Sequence, residues 1–118
     1  MTQYDLGAID GIDLGFTDAI RVGRTTVLYT AAAEASDDAA SDGDVGGSAL
    51  GVIPNDRRQP ARWTQILDEK GEPFAGKVEG LVLDPRQPSR ALVVVDVDDW
   101  SRPSELCELA LGGPWLPH

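Results

Sequence analysis

Short runs of apolar residues, alternating or continuous, follow one another along the chain and are separated by glycine, proline and aspartate. Residues 25–30, Thr-Thr-Val-Leu-Tyr-Thr, are dense in β-branched and aromatic side chains, and together with residues 16–22 they predict a hairpin. Residues 91–95, Ala-Leu-Val-Val-Val, are apolar throughout, which predicts a strand buried on both faces. The same criteria predict further strands within residues 4–14, 46–53, 62–67, 77–83 and 105–111. Because no stretch keeps a helical period over the length of an ordinary helix, we predict an all-β, antiparallel fold.

The pattern also repeats within the chain. In each copy a strand leads through a turn to a stronger strand that ends in a carboxylate, which is Glu34 in the first copy and Asp98 in the second. Another strand follows in both copies. Four short strands in roughly 60 residues, joined by tight turns, are typical of a β-propeller blade. We therefore predict one domain over residues 1–118 with repeat units at 16–67 and 78–115, and a chance alignment of two generic hairpins is the alternative.

Several short motifs carry a resemblance to a known class of proteins. Lys-Val-Glu-Gly-Leu-Val-Leu-Asp-Pro, from Lys77, and the acidic-ended run from Ala91 resemble the blade motif of phytase-like and esterase-like β-propeller proteins. Phe-Thr-Asp-Ala from Phe16, Ala-Ala-Ala-Glu and residues 42–48 look like the preceding blade in uncharacterised bacterial relatives. The resemblance implies that the chain corresponds to the C-terminal two blades of such a propeller, each with four strands. A small β-sandwich or barrel is the alternative architecture.

The charge of the chain narrows the range of partners. Ten basic residues stand against 20 acidic ones, giving a net charge of −10. This excess argues against nucleic acid and anionic membranes, because both bind surfaces rich in lysine and arginine. No basic segment followed by an apolar one opens the chain, so we expect no secretory signal and favour a cytoplasmic location. The single cysteine, Cys107, excludes an internal disulfide.

Catalysis by a nucleophile has little support in the sequence. The one histidine, His118, is the last residue, and neither a Gly-x-Ser-x-Gly motif nor a cysteine–histidine pair is present. Carboxylates are the remaining reactive groups, so we name no catalytic residue. Metal-assisted hydrolysis of phosphate or sugar esters is implied by the resemblance alone.

The carboxylates cluster in two places and could hold a hard cation such as Ca²⁺, which prefers several oxygen ligands. One cluster runs from Glu34 through residues 37–44, and a solvated loop is its alternative interpretation. The other follows the apolar run 91–95, where residues two apart on a strand share a face. In the resembling propellers, acids at these strand ends help to bind calcium, which makes Glu79 and Asp98 the preferred candidates. The full set of candidate calcium ligands is Glu34, Glu79, Asp96, Asp98 and Asp99.

Further candidate binding residues lie near the same strand ends. The alternative interpretation of these side chains is that they only cap turns at the rim of a sheet. Trp100 sits in a turn next to an aspartate, where we expect exposure, and an exposed aromatic ring can anchor an interface. The acidic candidates of this group are Asp18, Asp42 and Asp44.

Two adjacent blades would leave an apolar face and a free edge strand on each side, and such surfaces attract partners. We therefore expect self-association, or pairing with a separately encoded part of a propeller. The favoured function is a non-catalytic binding or assembly module with a calcium-binding rim, and the metal-assisted hydrolase is the alternative.

Overall fold

The computed structural model describes residues 6–22, 26–34, 45–54, 62–74, 76–87, 89–96 and 104–111. Within this part of the chain there are eight strands and no helix, and all neighbouring strands pair antiparallel. The strands are β1 (Ala8–Ile9), β2 (Ile12–Val22), β3 (Thr26–Glu34), β4 (Val45–Ile53), β5 (Arg62–Gln65), β6 (Lys77–Leu83), β7 (Arg90–Asp96) and β8 (Glu105–Ala110). The prediction of an all-β, antiparallel fold is confirmed.

The strands form one sheet in the order β1-β2-β3-β4-β5 and another in the order β6-β7-β8. The predicted division into four and four strands is thus five and three. The additional strand is β1, which folds back on β2 through a tight turn in which Asp10 and Gly11 both have positive φ, 51° and 78°. The second unit contributes three strands to the described part of the chain, and residues 112–118 lie outside it. Both the pair of blades and the sandwich consist of two packed antiparallel sheets, so this arrangement does not decide between the two predicted architectures.

The main core lies between the two sheets. Leu28 and Leu50 of the first sheet pack in one cluster with Val78, Val93 and Val95 of the second. Cys107 is partly buried against this cluster. The sheets therefore stabilise each other by burying one apolar face each, at about 25 cal/mol for every Å² removed from water.

The strand that is buried on both faces is β3 and not β7. In β7, Val93 and Val95 are buried but Val94 between them is 43% exposed, so the prediction for residues 91–95 is wrong. In β3, every residue from Leu28 to Ala33 is buried. The reason is position, because β3 is the middle strand of its sheet and lies between the second sheet and the chain that precedes β2. Pairing on both sides also extends β3 four residues beyond the predicted run.

A second core cluster covers the other face of the first sheet. Tyr29, Ala31 and Ala49 are fully buried there, and Leu6 and Ile9 from the start of the chain pack onto them. A hydrogen bond of 2.8 Å from the Leu14 amide to the Gly7 carbonyl holds this segment in place. Trp63 is partly buried against the same cluster. The start of the described chain therefore closes a face that the second sheet does not reach.

Candidate functional site

Asp18, a candidate binding residue, joins the two sheets. A register shift between Phe16 and Asp18 inserts Thr17 as an extra residue in β2, so that two residues oppose Thr30 of β3. The Asp18 Oδ2 atom accepts a hydrogen bond of 2.7 Å from the amide of Leu81 in β6, and its Oδ1 atom accepts one of 2.8 Å from the Ala19 amide. The Thr17 and Thr30 hydroxyls are 2.8 Å apart and hydrogen-bonded to each other. Both oxygens of this carboxylate are thus engaged within the fold.

Ser48, buried in β4, makes a matching contact with the same edge of β6. Its hydroxyl accepts a hydrogen bond of 3.2 Å from the Val78 amide and donates one of 3.1 Å to the Gly76 carbonyl. β6 is an edge strand, and unpaired amides on an edge attract other strands. The contacts from Ser48 and Asp18 therefore cap the exposed edge of β6 from within the molecule.

The two capping contacts also define how the sheets cross. Val78 and Leu81 are about 10 Å apart along a strand. Their partners, Ser48 and Asp18, lie on β4 and β2, which are two strand spacings apart, also about 10 Å. β6 therefore crosses from β4 to β2 of the first sheet rather than following a single strand of it.

Sequence reasoning missed the role of Ser48. The Gly-Gly-Ser segment enters β4 through a bulge, where the register shifts opposite Ala33 and Glu34. The sequence does contain one indication of this role, which is a serine hydroxyl among the small residues of the β4 segment. Such a hydroxyl needs a hydrogen-bond partner once it is buried. The partner itself could not be found from the sequence, because it lies 30 residues further along the chain.

Replacing Asp18 by alanine should lower the free energy of unfolding by about 1–2 kcal/mol, because the Leu81 amide loses its acceptor. Asp18→Asn keeps an acceptor oxygen at the same position and should lose clearly less. Urea unfolding curves of the two variants and the parent measure the difference. Equal losses in both variants would contradict a hydrogen-bonding role for this carboxylate.

Two of the candidate calcium ligands come together at one end of the second sheet. Glu79 is the extra residue of a bulge in β6, and its Oε1 atom lies 3.6 Å from the Lys77 Nζ atom. Asp96, at the end of β7, is the cross-strand partner of Lys77. A basic side chain therefore lies beside both acidic positions. No group of three or more His, Cys, Asp or Glu residues that could hold a metal occurs within the described residues.

The other candidates give less information. Glu34 ends β3 opposite Val45. Asp98 and Asp99 lie outside the described residues, as do the candidate binding residues Asp42, Asp44 and Trp100. Calcium binding by the set that contains Glu34, Glu79, Asp96, Asp98 and Asp99 therefore stays a prediction.

A cleft that sequence reasoning did not find lies between the turn that follows β5 and the inner side of β8. It has a volume of about 170 Å³. Its apolar walls are formed by Ile66, Phe74, Val78, Val93, Cys107 and Leu109. Because these residues are far apart in the sequence and no motif links them, only the folded chain shows the cleft.

The turn beside the cleft is held by its own backbone. The Phe74 amide donates to the Ile66 carbonyl at 2.9 Å, and the Asp68 amide donates to the Glu72 carbonyl at 2.8 Å. The Asp68 Oδ1 atom accepts further hydrogen bonds from the Lys70 and Glu72 amides, at 2.9 and 3.0 Å. These hydrogen bonds fix one wall of the cleft.

The side of the second sheet that faces away from the first sheet is called the outer face here. Its register places Val94 of β7 opposite Leu106 of β8, and Val82 of β6 opposite Leu92 of β7. Val82, Val94 and Leu106 are 53%, 43% and 68% exposed. The outer face is therefore an apolar surface that no described part of the chain covers.

Comparison with known proteins identifies a family. The model of the family described as "Family of unknown function (DUF6929)" matches residues 1–111, so the chain belongs to this family. No curated protein and no solved structure matches the chain. Among the residues described above there is no helix with the length and apolar character that crossing a membrane requires.

Proposed function

We propose that this member of the DUF6929 family is a non-catalytic assembly module that self-associates through its outer face. The observation that supports the proposal is the row of exposed apolar side chains on three adjacent strands, Val82, Val94 and Leu106. Contiguous apolar surface of this kind usually marks an interaction site. The blade-type architecture belongs to the same proposal, because the outer face is where a further sheet would pack.

The charges around the outer face favour a second copy of the chain as the partner. The chain as a whole has a net charge of −10, which opposes self-association. By the strand register, the outer face carries two basic residues against three acidic ones: Lys77 and Arg90, with Glu79, Asp96 and Glu108. In a two-fold interface each residue meets a different residue of the partner. The basic side chains of each copy can therefore face acidic side chains of the other.

The size of the surface predicts a weak complex. Stable interfaces bury about 800 Å² on each partner, and three partly exposed side chains with their neighbours supply less than that. We therefore expect a dimer that forms in the micromolar range and dissociates on dilution.

Sedimentation velocity over a dilution series should show this monomer–dimer equilibrium. Val82→Lys, which places a charge in the apolar surface, should weaken dimerisation by about tenfold or more. Ala19→Lys adds the same charge at an exposed position of β2, on the other sheet, and should leave the equilibrium unchanged. A parent chain that stays monomeric at about 100 μM, well above the expected range, would overturn the proposal. So would equal effects of the two lysine substitutions.

A further inference from the structure

We propose that the free edge of β8, together with the adjoining cleft, binds an extended basic segment of another protein as an added strand. The proposal concerns the edge of β8 and the inner side of the second sheet, which share only Glu108 with the charged residues of the outer face, and it does not depend on self-association. Three observations carry it: a strand edge that no strand in the described part of the chain pairs with, a cleft of matching position and size, and a surplus of acidic residues around both.

The first observation is the difference between the two edges of the second sheet. The edge of β6 is capped by Asp18 and Ser48, whereas no strand in the described part of the chain pairs with the far side of β8. The Leu111 amide donates to the Ser89 carbonyl, and amides in an antiparallel ladder alternate in direction. The alternation directs the amides of Leu106, Glu108 and Ala110 away from β7. β8 therefore offers a row of backbone donors to an incoming strand.

The second observation is the cleft beside this edge. Cys107 and Leu109 of β8 line it, and Leu67, which is 54% exposed, lies at its mouth. Side chains on a strand alternate between the two faces. An added strand would therefore direct every second side chain to the same side as Cys107 and Leu109. A volume of about 170 Å³ is enough for one large apolar side chain, since an engineered cavity of about 150 Å³ holds a benzene molecule.

The third observation is the charge around the edge and the cleft. β8 contains Glu105 and Glu108 and no basic residue. Glu108 forms an ion pair of 3.3 Å with Arg90 and its side chain is still 65% exposed. The turn at the cleft adds Asp68, Glu69 and Glu72 against Lys70.

The excess of acidic residues indicates which kind of segment can pair with β8. A second copy of β8 would place its own glutamates opposite these, and like charges across a strand pair are destabilising. A segment in which lysine or arginine alternates with apolar residues would direct the apolar side chain into the cleft. Its basic side chains would then lie on the side of Glu108, where each cross-strand pair of opposite charges is favourable. The partner is therefore an extended, basic and apolar segment of another protein.

The experiment measures the binding of three fluorescent heptapeptides by anisotropy. The first alternates lysine with valine and leucine, and we expect it to bind with a dissociation constant in the micromolar range. The second has glutamate in place of every lysine and should not bind. The third has proline in place of the central leucine, which removes a backbone donor and the apolar side chain, and should bind at least about tenfold more weakly than the first. Equal binding of the lysine and proline peptides would show attraction by charge alone and overturn the proposal.

Two variants of the protein test the surface itself. Ala110→Pro removes an amide that points away from β7, so the ladder keeps its hydrogen bonds while the edge loses a donor and gains a ring. Glu108→Lys reverses the charge at an exposed position. Each should weaken binding of the lysine peptide at least about tenfold, whereas Ala19→Lys should leave it unchanged. Affinity that is the same in all three variants would overturn the proposal. So would affinity that falls as the protein is concentrated, since a second copy would then occupy the edge. The glutamate and proline peptides keep the test decisive if a variant does not fold.

Discussion

Gly51→Ala should destabilise the protein by about 3 kcal/mol, because the ring of Tyr29 occupies the space that the added methyl group needs. Gly51 of β4 is the cross-strand partner of Tyr29 in β3, and an added Cβ atom would fall far inside van der Waals distance of the ring. The ring cannot move aside easily, since Tyr29 is fully buried and packs edge-to-face on Phe16, with a centroid distance of 5.0 Å. Urea unfolding should show a lower midpoint with an unchanged slope.

Gly15→Ala is the matched control for this substitution. Gly15 also lies in a strand, and an added Cβ atom there has no neighbour within 4 Å. Its replacement should change stability by less than about 0.5 kcal/mol. In a Tyr29→Val background the cost of Gly51→Ala should fall, because the shorter side chain leaves room. A cost that is the same in both backgrounds would show that the ring is not the obstacle.

The close fit between Tyr29 and Gly51 illustrates what the sequence could and could not predict. The run Thr-Thr-Val-Leu-Tyr-Thr predicted a strand correctly, because β-branched and aromatic residues suit a pleated surface. The sequence did not reveal that both faces of this strand are buried, because burial depends on the elements that cover each face. The reverse error occurred at Val94, where a wholly apolar run has one face exposed. Apolar content predicts which residues prefer burial, and topology decides which of them are buried.

The candidate sites were harder to predict for a related reason. Clustered carboxylates are visible in a sequence, but their partners are not. One Asp18 carboxylate oxygen accepts a hydrogen bond from β6, whereas the Glu79 carboxylate lies beside Lys77, so carboxylates serve as a cap in one place and as an ion-pair partner in another. The cleft and the free edge of β8 depend on residues that are brought together only by the packing of the turn after β5 against the second sheet. Such surfaces have no local sequence signature.

Tyr29 has a second property that leads to a prediction about alkaline pH. Its hydroxyl is buried and has no hydrogen-bond partner among the residues that the structure describes. Burial raises the pKa of Tyr29 to about 12, because the ionised form would lose its hydration. In the unfolded chain a tyrosine ionises near pH 10. The folded state therefore retains a proton that the unfolded state releases between pH 10 and pH 12.

The free energy of unfolding should consequently fall as the pH rises through this window. Above pH 10 the unfolded state binds fewer protons than the folded state, so the slope of stability against pH is negative. The difference of about two pKa units corresponds to a loss of at most about 2 kcal/mol by pH 12, and the loss from this group becomes small below pH 10.

Tyr29→Phe isolates this contribution, because every other titratable residue is the same in both proteins. At pH 8 the variant should be more stable than the parent by about 1 kcal/mol, because it removes a buried hydroxyl that lacks a partner. As the pH rises from 10 to 12, the advantage of the variant should grow by about 1–2 kcal/mol, since only the parent has a phenol at this position that resists ionisation when folded. Chemical unfolding of both proteins at pH 8, 10 and 11.5 measures the difference. A difference that stays constant across these pH values would mean that the hydroxyl reaches water in the folded state and that burial does not raise its pKa.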